Sequence, residues 1–157
     1  MKKSSMFVFL IAVVVIAAIV YAVVGMQSKI NEYPSMKYET FGGFLSPAYY
    51  RHVLVVDKNG IDYTVYAQNG SVTEHKTASI DQQTYNALIQ QFNDANFTSL
   101  NNTYMPQHPN PDVGSTNISL TIKGITKSVL IKQGFEGTPY PDSLTSIIET
   151  MQNLTPQ

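Results

Sequence analysis

The chain is 157 residues long, with ten Lys and Arg against eleven Asp and Glu, three His and no Cys. That near-neutral balance, without a basic cluster, argues against a nucleic-acid partner. The missing cysteines exclude disulfides, thiolate metal ligands, a cysteine nucleophile and a lipidated-cysteine anchor.

Taken from the start, the run from Met6 to Gly25 (MFVFLIAVVVIAAIVYAVVG) has twenty residues without a charge. Twenty helical residues reach about 30 Å, the thickness of a bilayer's hydrocarbon core. Lys2 and Lys3 precede the run with no acidic residue beside them. The positive-inside rule therefore sets the N-terminus in the cytoplasm and the rest of the chain outside. The expectation is a single-pass signal-anchor in the cell membrane. The alternative is a cleaved signal peptide, with cutting near Ala22 and a secreted product. Against cleavage, apolar character continues through Val23, Val24 and Gly25, longer than the usual h-region of about 7 to 15 residues.

Three segments follow from this reading: a cytoplasmic tip and transmembrane helix over 1–25, a stalk over 26–37 and a folded domain over 38–157. Past residue 32, seven Lys and Arg stand against ten Asp and Glu, so the exported part is mildly acidic at −3. About 125 residues suit one domain with its own hydrophobic core. Pro34 ends any helix that continues beyond Gly25.

The folded part opens with strand and turn signals. Residues 38–45 (YETFGGFL) read as a strand interrupted by a bulge at Gly42-Gly43, a pair that also permits close backbone approach. Strands are then predicted at 51–57 (RHVLVVD), 61–67 (IDYTVYA) and 71–77. Asn59-Gly60 and Asn69-Gly70 lie between them, each suited to the centre of a type I′ turn, so the three strands form a meander. In the middle strand Ile61, Tyr63, Val65 and Ala67 share the packed face, and Asp62, Thr64 and Tyr66 the solvated one.

Ser79 and Gln82 fit a capping box, and Tyr85, Leu88, Ile89 and Phe92 form the apolar stripe of the helix that it starts. That helix is predicted to end near residues 95–97. Residues 101–115, with three prolines and no periodicity, read as an irregular loop. A second hairpin joins 116–123 (TNISLTIK) to 126–132 (TKSVLIK) through a tight turn at Gly124. A closing helix over 141–154, entered at Pro141, places Leu144, Ile147, Ile148 and Met151 on one stripe. The fold class is therefore α+β: an N-terminal transmembrane helix, then an antiparallel sheet of a meander plus a second hairpin, with two helices packed on one face.

The elements carried by FGGF, YYRHVLVVDKNGIDYTV, IDQQTYNALIQQFNDANFTSL, the hairpin STNISLTIKGITKSVLI and the entry TPYPDSL resemble an uncharacterised family of small exported α+β domains of bacteria and archaea. The resemblance covers residues 38–154. It implies the fold and brings no activity, cofactor or site residue with it.

Chemistry is sparse in the residues themselves. His52, His75 and His108 are scattered without metal-ligand spacing. Asn101, Asn102, Asn110 and Asp112 offer oxygens for a hard cation, but with a single carboxylate they are a poor calcium set. No serine lies in GxSxG or SxxK. Catalytic residues, metal ligands and cofactor sites are accordingly assigned to none. Five sequons make Asn69, Asn96, Asn101, Asn117 and Asn153 glycosylation candidates. Among ten tyrosines, Tyr66, Tyr104 and Tyr140 are the candidates for an exposed contact patch.

The expected role is a membrane-anchored extracytoplasmic interaction or accessory domain, attached to the membrane through Met6 to Gly25 and to a protein partner in the membrane or envelope. A surface-filament subunit assembled through the N-terminal helix is the alternative, although residues 6–10 lack the small and acidic residues of pilin-type processing. A cell-envelope enzyme is the third reading.

Overall fold

A computed structural model describes residues 33–43, 46–134 and 136–157. The predicted transmembrane segment, residues 6–25, lies outside the described residues. No described helix is long and apolar enough to cross a membrane.

Seven strands form one sheet in the order β4-β3-β2-β1-β6-β7-β5. They are β1 (Ser35–Phe41), β2 (Arg51–Asp57), β3 (Gly60–Tyr66), β4 (Val72–Ala78), β5 (Thr103–Tyr104), β6 (Ser115–Ile122) and β7 (Ile125–Lys132). Every pairing is antiparallel except that of β5 with β7. Among the described residues the two α-helices are α1 (Gln82–Asp94) and α2 (Asp142–Asn153). The α+β class, the meander β2-β3-β4 and the hairpin β6-β7 all stand as expected.

Alternation along the strands decides which face the helices cover. Met36 and Tyr38 of β1 stand opposite Val56 and Leu54 of β2 and Leu120 and Ile118 of β6. All six are buried, together with Val129 and Ile131 of β7. Onto this face α1 sets Tyr85, Leu88 and Phe92, and α2 sets Leu144, Ile147 and Met151, which completes one core. Spacings of three and four along each helix put these side chains on one stripe, so burying the stripe requires the sheet beneath it. Two hydrogen bonds tie helices to the sheet's central strand and its lead-in: Gln152 donates to the Tyr38 hydroxyl at 2.8 Å, and the Tyr85 hydroxyl donates to the Pro34 carbonyl at 2.7 Å.

Several local expectations are corrected. Strand β1 starts at Ser35, inside the predicted stalk, and ends at Phe41 instead of continuing through a bulge to residue 45. Gly42 and Gly43 have φ of 78° and 72°, a turn conformation that stops the strand. Asp81, rather than Ser79, caps α1: its carboxylate accepts from the Thr84 amide at 2.8 Å and the Thr84 hydroxyl at 2.7 Å. A charged acceptor one residue ahead of the first turn satisfies the early amides better than a serine two residues further back.

The Asn-Gly turns are not type I′. Asp57 pairs with Gly60, so Lys58 and Asn59 form the first connection, and the Asp57 carboxylate accepts from the Asn59 amide at 2.7 Å. In the second, Gly70 donates to the Ala67 carbonyl at 2.9 Å and takes φ 83° after a type I-like turn, beside a bulge at Val65/Tyr66. The two successive positive φ values of a type I′ turn occur instead at Lys123 (50°) and Gly124 (78°) in the β6-β7 hairpin. Within the predicted irregular loop, Thr103–Tyr104 forms β5, paired parallel to Leu130 and Ile131. A two-residue strand leaves no periodicity to read.

Candidate functional site: the open face of the sheet

The same alternation that fills the core sends the remaining side chains to the uncovered face. Across its centre run His75, Thr64, Val53, Glu39, Asn117 and Leu130, in adjacent register from β4 to β7. Glu39 is only 7% exposed although it carries a charge. Lys37 Nζ approaches it at 2.8 Å and Arg51 Nε at 2.5 Å, one on each carboxylate oxygen. Arg51 also lies over the Tyr66 ring, 5.2 Å from its centroid, an arrangement that attracts a guanidinium to an aromatic face. Burial works to raise the Glu39 pKa, but the hydrogen bonds and charges of Lys37 and Arg51 outweigh it and hold the carboxyl below its ordinary value of 4.5.

Other polar groups on this face are also bonded to one another. Ser119 and Ser128 share a hydrogen bond of 2.9 Å and Thr121 and Thr126 one of 2.8 Å, both across the β6-β7 pair. Thr64 donates to Asp62 at 3.2 Å, and His75 Nε2 stands 2.9 Å from the second Asp62 oxygen. Such cross-strand pairs stiffen a sheet face while leaving it hydrophilic.

At one end of the face two backbone turns cross. Gly43 lies so close to the 112–114 turn that a Cβ there would stand 2.9 Å from the Asp112 carbonyl oxygen and the Gly114 nitrogen. The close approach anticipated for the glycine pair is therefore real, and its partner is backbone. A cleft of about 470 Å³ lies beside the crossing, lined among others by Phe41, Asp112 and Gln133. Asp112 is its single carboxylate, beside the side chains of Thr40, Ser115, Thr116 and Gln133.

The residues singled out from the sequence do not converge. Tyr66 is on the open face with Arg51, whereas Tyr104 and Tyr140 pack against the core on the helix side, so the expected patch is not one surface. His52 meets the Tyr63 hydroxyl at 2.7 Å, and His108 Nδ1 lies 3.3 Å from Glu136. Among the described residues no group of three His, Asp or Glu is placed to hold a metal ion. In the loop whose oxygens make a poor calcium set, Asn102 Oδ1 accepts from Lys127 Nζ at 2.5 Å, as the Leu100 carbonyl just ahead of it does at 2.6 Å, and Asn110 Oδ1 accepts from the Asp112 amide at 2.9 Å.

Asn69, Asn96, Asn101 and Asn153 are exposed, and Asn117 is half-buried on the open face beside Glu39. Asn69 Oδ1 accepts from the Ser71 amide and hydroxyl, and Asn96 Oδ1 from the Ser99 hydroxyl. The Lys37–Glu39–Arg51 cluster was missed in the sequence. Its signal was the Lys-Tyr-Glu alternation beside Met36 and Tyr38, obscured by assigning residue 37 to a stalk.

Fold and open face together define a small α+β domain with one packed and one polar sheet surface. The chain belongs to the family described as domain of unknown function DUF6438, whose model matches residues 52–155. That match begins inside β2 and leaves out β1, the strand between β2 and β6. No curated protein matches the chain.

Proposed function

We propose that the protein is a membrane-anchored extracytoplasmic interaction domain, held by residues 6–25 and presenting its open sheet face and sheet edge to protein partners. The observation that carries the interaction half is the state of the charged groups on the open face. Lys37 and Arg51 each engage Glu39, and Asp62 contacts His75, so these charged groups are taken up in shaping and stiffening a polar surface that a protein partner can meet. Support for the anchor comes from the uncharged twenty-residue run and the two lysines ahead of it.

Alkaline carbonate extraction of membranes from cells expressing the full chain tests the anchor. The chain stays in the pellet, and deletion of residues 6–25 releases it. Release of the intact, unprocessed full chain would overturn the assignment.

A further inference from the structure

We propose that the exposed edge strand β4 pairs antiparallel with β4 of a second copy about a two-fold axis at His75, joining two sheets into one. This names a partner for the interaction half of the reading above and does not depend on the anchor.

β4 is the end strand of the sheet, and among the described residues nothing pairs with its outer side. Which backbone groups are free follows from β3. The Val65 carbonyl accepts from Thr73 Oγ1 and so faces β4, whereas the Tyr66 carbonyl accepts from the Tyr50 amide on the β2 side. Residues of β3 alternate, so Tyr63 and Val65 direct their main-chain groups at β4. Their partners there are Lys76 and Glu74. His75 and Thr77 are left with amides and carbonyls pointing outward, a row that another strand can complete, and Thr73 follows in the bulge next to Glu74.

The side chains select the strand. Val72–Ala78 reads VTEHKTA. Turned about His75, it sets Glu74 opposite Lys76 of the partner subunit, Lys76 opposite the partner's Glu74, and Thr73 opposite the partner's Thr77. A charged edge normally repels other strands. Here the pattern is self-complementary: the same charges attract a copy in this one register and oppose it in registers shifted by two residues, which bring Glu74 or Lys76 against its own kind. Within one molecule Lys76 Nζ already lies 2.7 Å from Glu74, so pairing adds a second counter-ion to each. An isologous two-fold contact of this kind closes on itself and yields a dimer, not a fibre. The bulge at Val65/Tyr66 takes up Thr73 at the Val72 end and leaves residues 74–78 in regular register.

Because the chain has no cysteine, single substitutions report the register cleanly. In a hydrogen-bonded antiparallel pair the facing Cα atoms are about 5.5 Å apart, within disulfide reach. Under mild oxidation of the full chain in non-ionic detergent, His75→Cys forms a covalent dimer. Thr73→Cys and Thr77→Cys alone do not, since each is about 13 Å from its own copy along the strand, but together they link. Glu74→Lys weakens the dimer by about tenfold or more in analytical ultracentrifugation, and the swap Glu74→Lys/Lys76→Glu restores it. The restored pair keeps the test decisive even where the single reversal lowers stability. Failure of His75→Cys to link, equal linking by Thr73→Cys alone, or a dimer indifferent to both charge variants would overturn the proposal. Extraction from membranes reports on the anchor alone, so the two readings fail separately.

Discussion

Glu39 shows how one residue joins sequence, packing and pH response. It sits in the middle strand, 7% exposed, on the face that has no helix over it, and is kept ionised by Lys37 and Arg51. A carboxyl whose folded pKa lies below its ordinary value adds stability that is present above 4.5 and is lost as pH falls through the lowered folded value. Replacing it with Gln is expected to cost about 1–2 kcal/mol at neutral pH, since both cations are partly exposed and screened. The gap between wild type and Glu39→Gln should narrow as the pH drops below 4.5, measured by thermal melts from pH 7 to pH 3. Only the Lys37-x-Glu39 alternation of this cluster was legible in the sequence. A Lys-x-Glu alternation is common on strands, and its third member, Arg51, arrives from β2 by register, which sequence spacing does not reveal. Tyr104 and Tyr140 lie apart from Tyr66 for a related reason: an aromatic in a segment without a period gives no sign of which way it faces, and both pack in part against the core.

At the level of elements, the long periodic pieces were legible and their ends were not. The stripe of Tyr85, Leu88 and Phe92 forced a helix packed on a sheet, and the sequence 51–57 is β2 from end to end. The start of α1 was misplaced because Ser79 and Asp81 both offer capping oxygens, and only geometry shows that Asp81 takes the Thr84 amide. Asp81→Ala is therefore expected to lower the melting temperature measurably, and Ser79→Ala to leave it close to wild type, in parallel calorimetric scans. The turns carry the same lesson. Asn-Gly marked both meander connections correctly, but Asp57 captured the Asn59 amide and shifted the first turn by one residue. The type I′ geometry went to Lys123-Gly124, where a lysine accepts φ 50°.

For the whole molecule, the decisive feature is that β1 enters the middle of the sheet, between β2 and β6. This strand, on which the rest of the sheet is built, begins at Ser35, ten residues after Gly25 in the sequence. The order of elements was legible because each has its own period. Their spatial order was not, because joining β1 to β6 is a pairing across more than seventy residues, with no local trace. A role at the membrane surface for this open-faced, edge-exposed sheet is tested most directly by protease treatment of intact cells carrying a C-terminal epitope on the full chain. The account predicts that external protease removes the epitope from intact cells while a cytoplasmic control protein survives; an epitope protected until the cells are lysed would contradict it.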